Sequence, residues 1–263
     1  MRSWRSRDPP VAVARLAAPT LVGAVGGSGT RVVARLLRRA GLFMGSELNE
    51  AEDSEPVMRF YGAWLRRYLE SGAQLGAEAE AARADFERAL GAHLSGLEGR
   101  SGPWGVKVPR SILMLRYWHA AFPGLRFVHV VRDGLDMAYS RDRNQLRMVG
   151  DLVLDRAERR LGEIEQAIAY WQRVNLEAAD YGQRRLPGRY LLVRFEDLCA
   201  RPSEAYARVR DLVGGRRAAP DEIAAEVRAP ASIGRWRRRP VQETRSLREV
   251  GAAALRRFGY AAP

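Results

Sequence analysis

The feature that most constrains the fold is a short apolar run that enters a glycine-rich turn and continues into a helical pattern. The stretch PTLVGAVGGSGTRVVARLL spans Pro19–Leu37. Its apolar part, Thr20–Val25, predicts a buried strand, and Arg31–Ala40 predicts the helix that follows. A glycine-rich turn between a buried strand and a helix is typical of parallel α/β sheets, and it often binds an anion.

Strand and helix patterns continue to alternate along the chain. Further strands are predicted at Trp104–Val108, Arg126–Val131 and Tyr190–Phe195. The predicted helices after the first are Val57–Leu69, Ala77–Leu97, Pro109–Phe122, Gly134–Gln145, a long helix from Leu154 through Val174, Ser203–Val213, Asp221–Val227 and Thr244–Arg257. The alternation predicts an α/β fold with a P-loop-like parallel sheet of about four to five strands, flanked by helices on both faces. We expect a basic N-terminal tail, residues 1–18, and one domain over residues 19–263.

The composition limits the location and the classes of partner that we expect for this chain. The single cysteine, Cys199, excludes an internal disulfide and favours a reducing, cytoplasmic location. No apolar stretch approaches the roughly 20 residues of a membrane span. The net charge of +13 favours an anionic partner, although arginine usage in a GC-rich genome would also produce it. No nucleic-acid-binding module is evident, so no nucleic acid partner is predicted.

The loop GAVGGSGT, Gly23–Thr30, has the length of a Walker A loop but carries Gly29 where that motif has its lysine. A loop that hydrolyses ATP or GTP would therefore lack its phosphate-binding cation, and no magnesium-binding aspartate follows it. We expect the backbone N–H groups of residues 28–31 to bind an anion, with added donors from Ser28, Thr30 and Arg31. The alternative is a tight turn in which Thr30 caps the helix.

A second anion site is predicted at the third strand. Arg132 follows that strand, and Ser140 lies eight residues later on the predicted helix. An arginine at a strand end and a serine on the next helix are able to hydrogen-bond one phosphate from two sides. The alternative is a surface arginine and an unrelated helix serine.

Together, the GGSGT loop and VVRDGLDMAYS resemble the sulfotransferase family, in its bacterial carbohydrate- or small-molecule-acting form. The resemblance extends to WGVKVPRS, YLLVRFEDLCARP and ASIGRWRR and covers roughly Pro19–Arg238. It implies an enzyme that moves a sulfuryl group from 3′-phosphoadenosine-5′-phosphosulfate (PAPS) to a hydroxyl or amine of an acceptor. The product would be 3′-phosphoadenosine 5′-phosphate (PAP), and no metal would be required.

The resemblance also implies roles for individual residues. The 3′-phosphate would contact Arg132 and Ser140, and Arg235 is a candidate contact from the loop that closes over the donor. Many relatives have a basic residue immediately before Ser-Gly-Thr, where this chain has glycine, so Arg31 or Lys107 would have to supply that charge. The residues that would hold the 5′-phosphosulfate are Gly27, Ser28, Gly29, Thr30 and Arg31.

Sulfuryl transfer needs a base near the acceptor, and sulfotransferases use a histidine or a carboxylate. The acidic loop after the first helix should return toward the phosphate loop, so Asp53 and Glu50 are the leading candidates. Lys107 ends the second strand and is predicted to touch the transferring group. The three histidines are interpreted as structural.

Two other functions stay open at this stage: a small-molecule kinase, and a non-catalytic nucleotide-binding protein with a degenerate P-loop. The acceptor is also open, because a sugar, a lipid-linked glycan, a phenol and an amine all fit the sequence. The predicted partner is therefore a small-molecule or glycan acceptor, with the oligomeric state undetermined.

Overall fold

A computed structural model describes residues 16–97 and 102–260. Most of the predicted N-terminal tail, residues 1–15, lies outside the described residues. The described part of the chain contains one parallel sheet of four strands in the order β2-β1-β3-β4. The strands are β1 (Thr20–Gly23), β2 (Gly105–Lys107), β3 (Arg126–Val131) and β4 (Tyr190–Arg194). Because all four run in the same direction, their carboxyl ends meet at one edge, where the predicted site residues follow.

Twelve α-helices connect and cover the strands within the described residues. They are α1 (Thr30–Arg39), α2 (Glu55–Glu70), α3 (Ala79–His93), α4 (Leu115–Ala121), α5 (Gly134–Ala138), α6 (Asn144–Val153), α7 (Glu163–Arg185), α8 (Phe195–Ala200), α9 (Pro202–Val213), α10 (Pro220–Glu226), α11 (Val241–Val250) and α12 (Ala252–Arg257). No helix in the described ranges is long and apolar enough to cross a bilayer.

Buried side chains form two apolar clusters, one on each face of the sheet. Alternate residues of β1 point to opposite faces, so Leu21 joins one cluster and Val22 joins the other. Helices α2–α7, α11 and α12 cover the first face, and α1 and α8–α10 cover the second. The predicted α/β fold with a parallel sheet flanked on both faces is therefore confirmed.

The long helix predicted from Leu154 was wrong at its start. Helix α7 begins at Glu163, so Leu154, Ala157 and Leu161 precede it. The carboxylate of Asp155 accepts hydrogen bonds from the backbone N–H groups of residues 157 and 158, each at 2.9 Å. Such local side-chain bonds compete with the helical ladder, which explains the turn in this segment.

The helix predicted over Gly134–Gln145 is two helices. Helix α5 ends at Ala138, and the next residues form a turn before α6 begins. In that turn the Ser140 hydroxyl accepts a hydrogen bond from the N–H of Asp142 at 3.2 Å, and the Asp142 carboxylate accepts one from Asn144 at 3.2 Å. Ser140 therefore lies in a loop and not on a helix face as predicted.

Two further predicted helices are interrupted. The segment Pro109–Phe122 forms a short 3₁₀ turn over Pro109–Ile112 and then α4. The segment Thr244–Arg257 is divided into α11 and α12 at Gly251. A Cβ atom at Gly251 would lie 2.6 Å from Cδ1 of Ile168, so α7 approaches the backbone too closely for a side chain there.

Candidate active site

The glycine-rich loop leads from β1 directly into α1. Gly27 and Gly29 have φ angles of +84° and +90°, a region that residues with a side chain rarely adopt. A Cβ atom at Gly29 would also lie 2.2 Å from the ring of Phe195. Gly29 is the N-cap of α1, and no side chain caps the helix. The first N–H groups of α1 therefore remain available for an anionic ligand.

The two hydroxyl groups of this loop differ in their placement. The hydroxyl of Ser28 is buried and donates to the backbone oxygen of Val25 at 2.7 Å, so it stabilises the loop from within. The role of Ser28 in holding a phosphate stays a prediction. Thr30 lines the cleft described below, as do Gly27, Gly29 and Arg31.

The acidic loop between α1 and α2 folds around an asparagine. The side-chain oxygen of Asn49 accepts hydrogen bonds from the N–H groups of Ala51 and Asp53, each at 2.9 Å, which is a typical Asx turn. The N–H of Ser54 then donates to the backbone oxygen of Lys107 at 3.2 Å. These bonds attach the acidic loop to the end of β2.

This attachment brings together two of the predicted catalytic residues. Nζ of Lys107 donates to Oδ1 of Asp53 at 2.6 Å and also to the backbone oxygen of Ala51. The lysine side chain is only 2% exposed, whereas that of Asp53 is 15% exposed. Burial lowers the pKa of Lys107, and the carboxylate of Asp53 opposes that effect. The pair therefore faces the cleft mainly through the carboxylate.

Glu52 anchors this loop to α1, a role that no local sequence pattern indicates. Its carboxylate pairs with Nε of Arg35 at 2.7 Å and with the guanidinium of Arg38. Partial burial alone would raise the pKa of Glu52, but the hydrogen bonds from these two arginines outweigh that effect and lower its pKa. Glu52 also has a φ angle of +63°, an uncommon conformation for a residue with a side chain. The arginine pairs hold the backbone immediately before Asp53 in this conformation.

Glu50, the other candidate base, is exposed and does not line the cleft. The Asx turn directs Asp53 toward β2, and Glu50 lies on the outer side of the same turn. The structure therefore brings Asp53, but not Glu50, to the glycine loop and Lys107. The sequence alone gives no signal that separates the two carboxylates, because both lie in one acidic stretch.

The residues of the second predicted anion site lie beside Gly27. The guanidinium of Arg132 is buried, with Nη1 at 3.5 Å from the Gly27 oxygen and Nη2 at 3.0 Å from the Ser232 hydroxyl. Its Nε atom is buried and has no hydrogen-bond partner among the described residues. A Cβ atom at Gly27 would lie 3.5 Å from Oγ of Ser140, so that hydroxyl is close as well.

Arg235 joins this cluster from the C-terminal segment. Its side chain donates to the backbone oxygens of Tyr139 and Ser232, each at 3.2 Å. Burial lowers the pKa of Arg235, and the neighbouring positive charge of Arg132 lowers it further. The carboxylate of Asp136 already pairs with Arg132 at 3.7 Å, and the two arginines carry one more positive charge than this carboxylate balances, which favours a further anion beside them.

Carboxylates at the start of α5 fix the segment that carries Arg235. Asp136 accepts hydrogen bonds from the N–H groups of Gly234 at 2.7 Å and Trp236 at 3.3 Å. Asp133 accepts one from the indole N–H of Trp236 at 2.8 Å, and burial raises the pKa of Asp133 to about 6. The segment therefore lies over Arg132 and closes that side of the site.

The glycine loop, the Asp53–Lys107 pair and α10 border one cleft with a volume of about 730 Å³. This volume is within the range of small-molecule sites. Two exposed arginines, Arg31 and Arg228, line it. Arg132, Ser140 and Arg235 lie behind the loop and do not line this cleft. The described residues contain no group of three or more histidine, cysteine, aspartate or glutamate side chains placed to hold a metal ion.

The three histidines make internal contacts. Nε2 of His93 lies 3.0 Å from the backbone oxygen of Gly105 and Nδ1 lies 2.9 Å from the Ser54 hydroxyl. A carbonyl only accepts, so Nε2 carries the proton, and burial lowers the pKa of His93 to about 4. His129 is buried between Asn175 and Tyr190, and His119 contacts Tyr181. His93 therefore supports the acidic loop from behind and does not face the cleft.

Comparison with known proteins assigns the family. The model of the sulfotransferase family matches residues 19–216, which is most of the chain and ends before Arg235. No curated protein matches the sequence.

Solved sulfotransferase structures share the fold. The sulfotransferase domain from the curacin biosynthetic pathway is 14% identical with a TM-score of 0.58, over 95% of this chain and 100% of that one. The sulfotransferase domain of the Synechococcus PCC 7002 olefin synthase is 17% identical with a TM-score of 0.56, over 100% of both chains. Sulfotransferase STF9 from Mycobacterium avium is 13% identical with a TM-score of 0.55, over 94% of this chain and 78% of that one. With the family model, these likenesses show that the chain belongs to the sulfotransferase family and is a transferase.

Proposed function

We propose that this sulfotransferase moves a sulfuryl group from PAPS to a hydroxyl or amine of its acceptor. One observation carries the proposal: the Asp53–Lys107 ion pair and the uncapped start of α1 line the same cleft. Sulfuryl transfer requires an anion site for the donor, a base for the acceptor and positive charge near the departing oxygen. These three groups meet in this cleft.

The donor side fits a molecule that carries phosphates at two positions. The N–H groups at the start of α1 suit the 5′-phosphosulfate, because glycines let the backbone approach it closely. Arg132, Ser140 and Arg235 suit the 3′-phosphate on the other side of Gly27. The N–H of the buried Nε atom of Arg132 has no hydrogen-bond acceptor among the described residues, which supports an anionic ligand at that position.

On the acceptor side, we assign the base to Asp53. Lys107 holds Oδ1 of Asp53, and Oδ2 makes no hydrogen bond with any described residue. Oδ2 would accept the proton of the acceptor hydroxyl or amine as the new bond to sulfur forms and the bond from sulfur to the phosphate oxygen of PAPS breaks, which releases PAP. Lys107 and Arg31 would then stabilise the negative charge that develops on the phosphate oxygen. Neither cation occupies the position before Ser28 where many relatives place a basic residue.

Binding and transfer assays test this function. Calorimetry with PAP, AMP, ATP and a DNA duplex should show the tightest binding for PAP, in the absence of magnesium. Incubation of the protein with donor labelled with ³⁵S and a cell extract should then label an acceptor. Tighter binding of magnesium-ATP than of PAP would contradict the proposal and favour a kinase. The cytoplasmic location stays a prediction from the cysteine content.

A further inference from the structure

We propose that the acceptor carries an anionic group of its own, a carboxylate, phosphate or sulfate, which binds in an arginine groove beside the cleft. This inference rests on the proposed function, because it names the acceptor class of the same site. The groove is defined by Arg35, Arg38, Arg39, Arg216 and Glu226 and has a volume of about 430 Å³.

The groove is continuous with the candidate active site. Arg35 and Glu226 line both the groove and the cleft that contains Asp53 and Lys107. The groove opens from the acidic-loop side, because Arg35 pairs with Glu52, the residue before Asp53. The donor residues Arg132, Ser140 and Arg235 lie instead behind Gly27. A ligand in the groove would therefore extend from the acceptor position and not from the donor.

Helix α1 supplies most of the groove. Its apolar residues Val33, Ala34, Leu36 and Leu37 are buried against the sheet. Its arginines lie at positions 31, 35, 38 and 39, a spacing that places them together on one helical face. Since α1 rises about 1.5 Å per residue, this face extends for about 12 Å from the glycine loop. The charges follow the direction that an extended acceptor would take out of the cleft.

Arg216 is the best prepared anion ligand of the groove. Its N–H donates to the oxygen of Ala40 at 3.0 Å and its Nε to the oxygen of Arg39 at 3.1 Å. The Tyr206 hydroxyl donates to the Arg216 oxygen at 2.7 Å, so both ends of the residue are fixed. Arg216 forms no ion pair with any described residue. A guanidinium held in place without a carboxylate partner is well suited to bind an anion.

The charges around the groove leave an excess of arginine. Glu52 is shared between Arg35 and Arg38, and Glu222 and Glu226 both pair with Arg39. Arg216 is left without a carboxylate partner among the described residues, and at the adjoining cleft Arg228 likewise has no ion pair. A neutral acceptor would leave these two guanidinium groups facing only water, whereas an anionic acceptor would be held and oriented by them.

Binding of a sulfated disaccharide to the PAP complex tests the inference. PAP is first titrated by calorimetry and kept saturating, so that the disaccharide does not compete for the donor site. The sulfated disaccharide should bind at least about tenfold more tightly than a neutral disaccharide, and Arg216→Gln should remove most of that difference. Arg216→Lys, which keeps the charge and loses the bidentate geometry, should retain part of it.

The matched control is Arg256→Gln, an exposed arginine of α12 on the opposite face of the sheet. It should leave disaccharide binding unchanged. Equal binding of the sulfated and neutral disaccharides, or equal losses in Arg216→Gln and Arg256→Gln, would overturn the inference. PAP affinity reports separately on the proposed function. If PAP binds but the sulfated and neutral disaccharides bind equally, only the proposed acceptor class is wrong. If PAP does not bind, the proposed donor is wrong.

Discussion

At one end of the cleft the groups that would hold a ligand belong to one continuous turn, whereas at the other end they come from distant segments. The glycine loop presents backbone N–H groups whose directions follow from φ angles at Gly27 and Gly29. Asp53 and Lys107 are 54 residues apart and meet only because β2 pairs with β1. The part of the donor end that suits the 5′-phosphosulfate is therefore a local property of the sequence, and the acceptor end is a property of the fold.

This difference also appears in what supports each end. The donor end depends on close backbone packing, as at Gly29 against Phe195. The acceptor end depends on polar side chains that hold one another, such as Glu52 with the arginines of α1 and His93 with Ser54. Substitutions should consequently affect donor binding at one end and turnover at the other.

The largest expected effect is on turnover at the acceptor end. Asp53→Asn should lower turnover by about 10²–10⁴-fold, because it removes the proposed base, while PAP affinity stays near that of the unmodified protein. Steady-state rates with a labelled acceptor and calorimetry with PAP provide the two measurements. Glu50→Gln is the matched control in the same loop and should keep normal turnover. A normal rate in Asp53→Asn would show that the base is elsewhere.

The next effect is on affinity at the donor end. PAP should bind more tightly than AMP by about 2–4 kcal/mol, since in the proposed site the 3′-phosphate would make two charge-assisted hydrogen bonds. Arg132→Ala should remove most of that difference without changing AMP affinity. Arg126→Ala, at the opposite end of β3, is the control and should leave both affinities unchanged. Equal affinities for PAP and AMP in the unmodified protein would contradict the assignment of Arg132 and Ser140.

The same contrast explains which parts of the molecule the sequence predicts. Strand β3 has the predicted bounds and β1, β2 and β4 nearly so, because short buried strands give continuous apolar runs. The glycine loop is predictable because its glycines are adjacent in sequence. The predicted start of α7 and the predicted continuous helix through Ser140 were wrong. At both places a polar side chain accepts a hydrogen bond from the nearby backbone and interrupts the helix.

The acceptor end illustrates what sequence patterns do not contain. The choice between Asp53 and Glu50 depends on the Asx turn at Asn49, and the role of Glu52 depends on arginines of a different element. The groove likewise needs Arg216, which only the packing of the segment after α9 places beside α1. The contacts of Glu52 and Arg216 join segments that are distant in sequence, so the spacing of residues within one segment does not predict them.

The pH dependence of the free energy of unfolding compares buried titratable groups that support the two ends of the cleft. Burial lowers the pKa of His93 and His129 to about 4 and raises that of Asp133 to about 6. Between about pH 5.5 and 4.5 the unfolded chain holds about two more protons on His93 and His129 and about one fewer on Asp133, a net of about one from these three groups. These three groups should therefore lower the free energy of unfolding by about 1.4 kcal/mol per unit as pH decreases through that window, and the lowered pKa values of His119 and Glu52 add to that fall.

Urea unfolding at several pH values measures this slope. His93→Gln removes one titrating group at the acceptor end and should make the slope in this window shallower by about 1.4 kcal/mol per pH unit. Asp133→Asn, at the donor end, should instead make it steeper by about the same amount, because the proton that the folded state holds on Asp133 is lost. A slope that is unchanged in both variants would show that other groups control the stability in this range.

The smallest expected effect concerns a carboxylate at the donor end. Asp142 is exposed and lines the cleft, and a Cβ atom at Gly26 would lie 2.7 Å from its Oδ2 atom. A negative charge beside the glycine loop opposes an anionic donor, although water and salt screen it. Asp142→Asn should therefore tighten PAP binding by about two- to fivefold at low salt, with a smaller gain at high salt. Asparagine keeps an acceptor for the N–H of Asn144, so the turn is preserved. Asp151→Asn, farther along α6, is the control; a gain as large in that variant would show that overall charge, and not the position of Asp142, sets the effect.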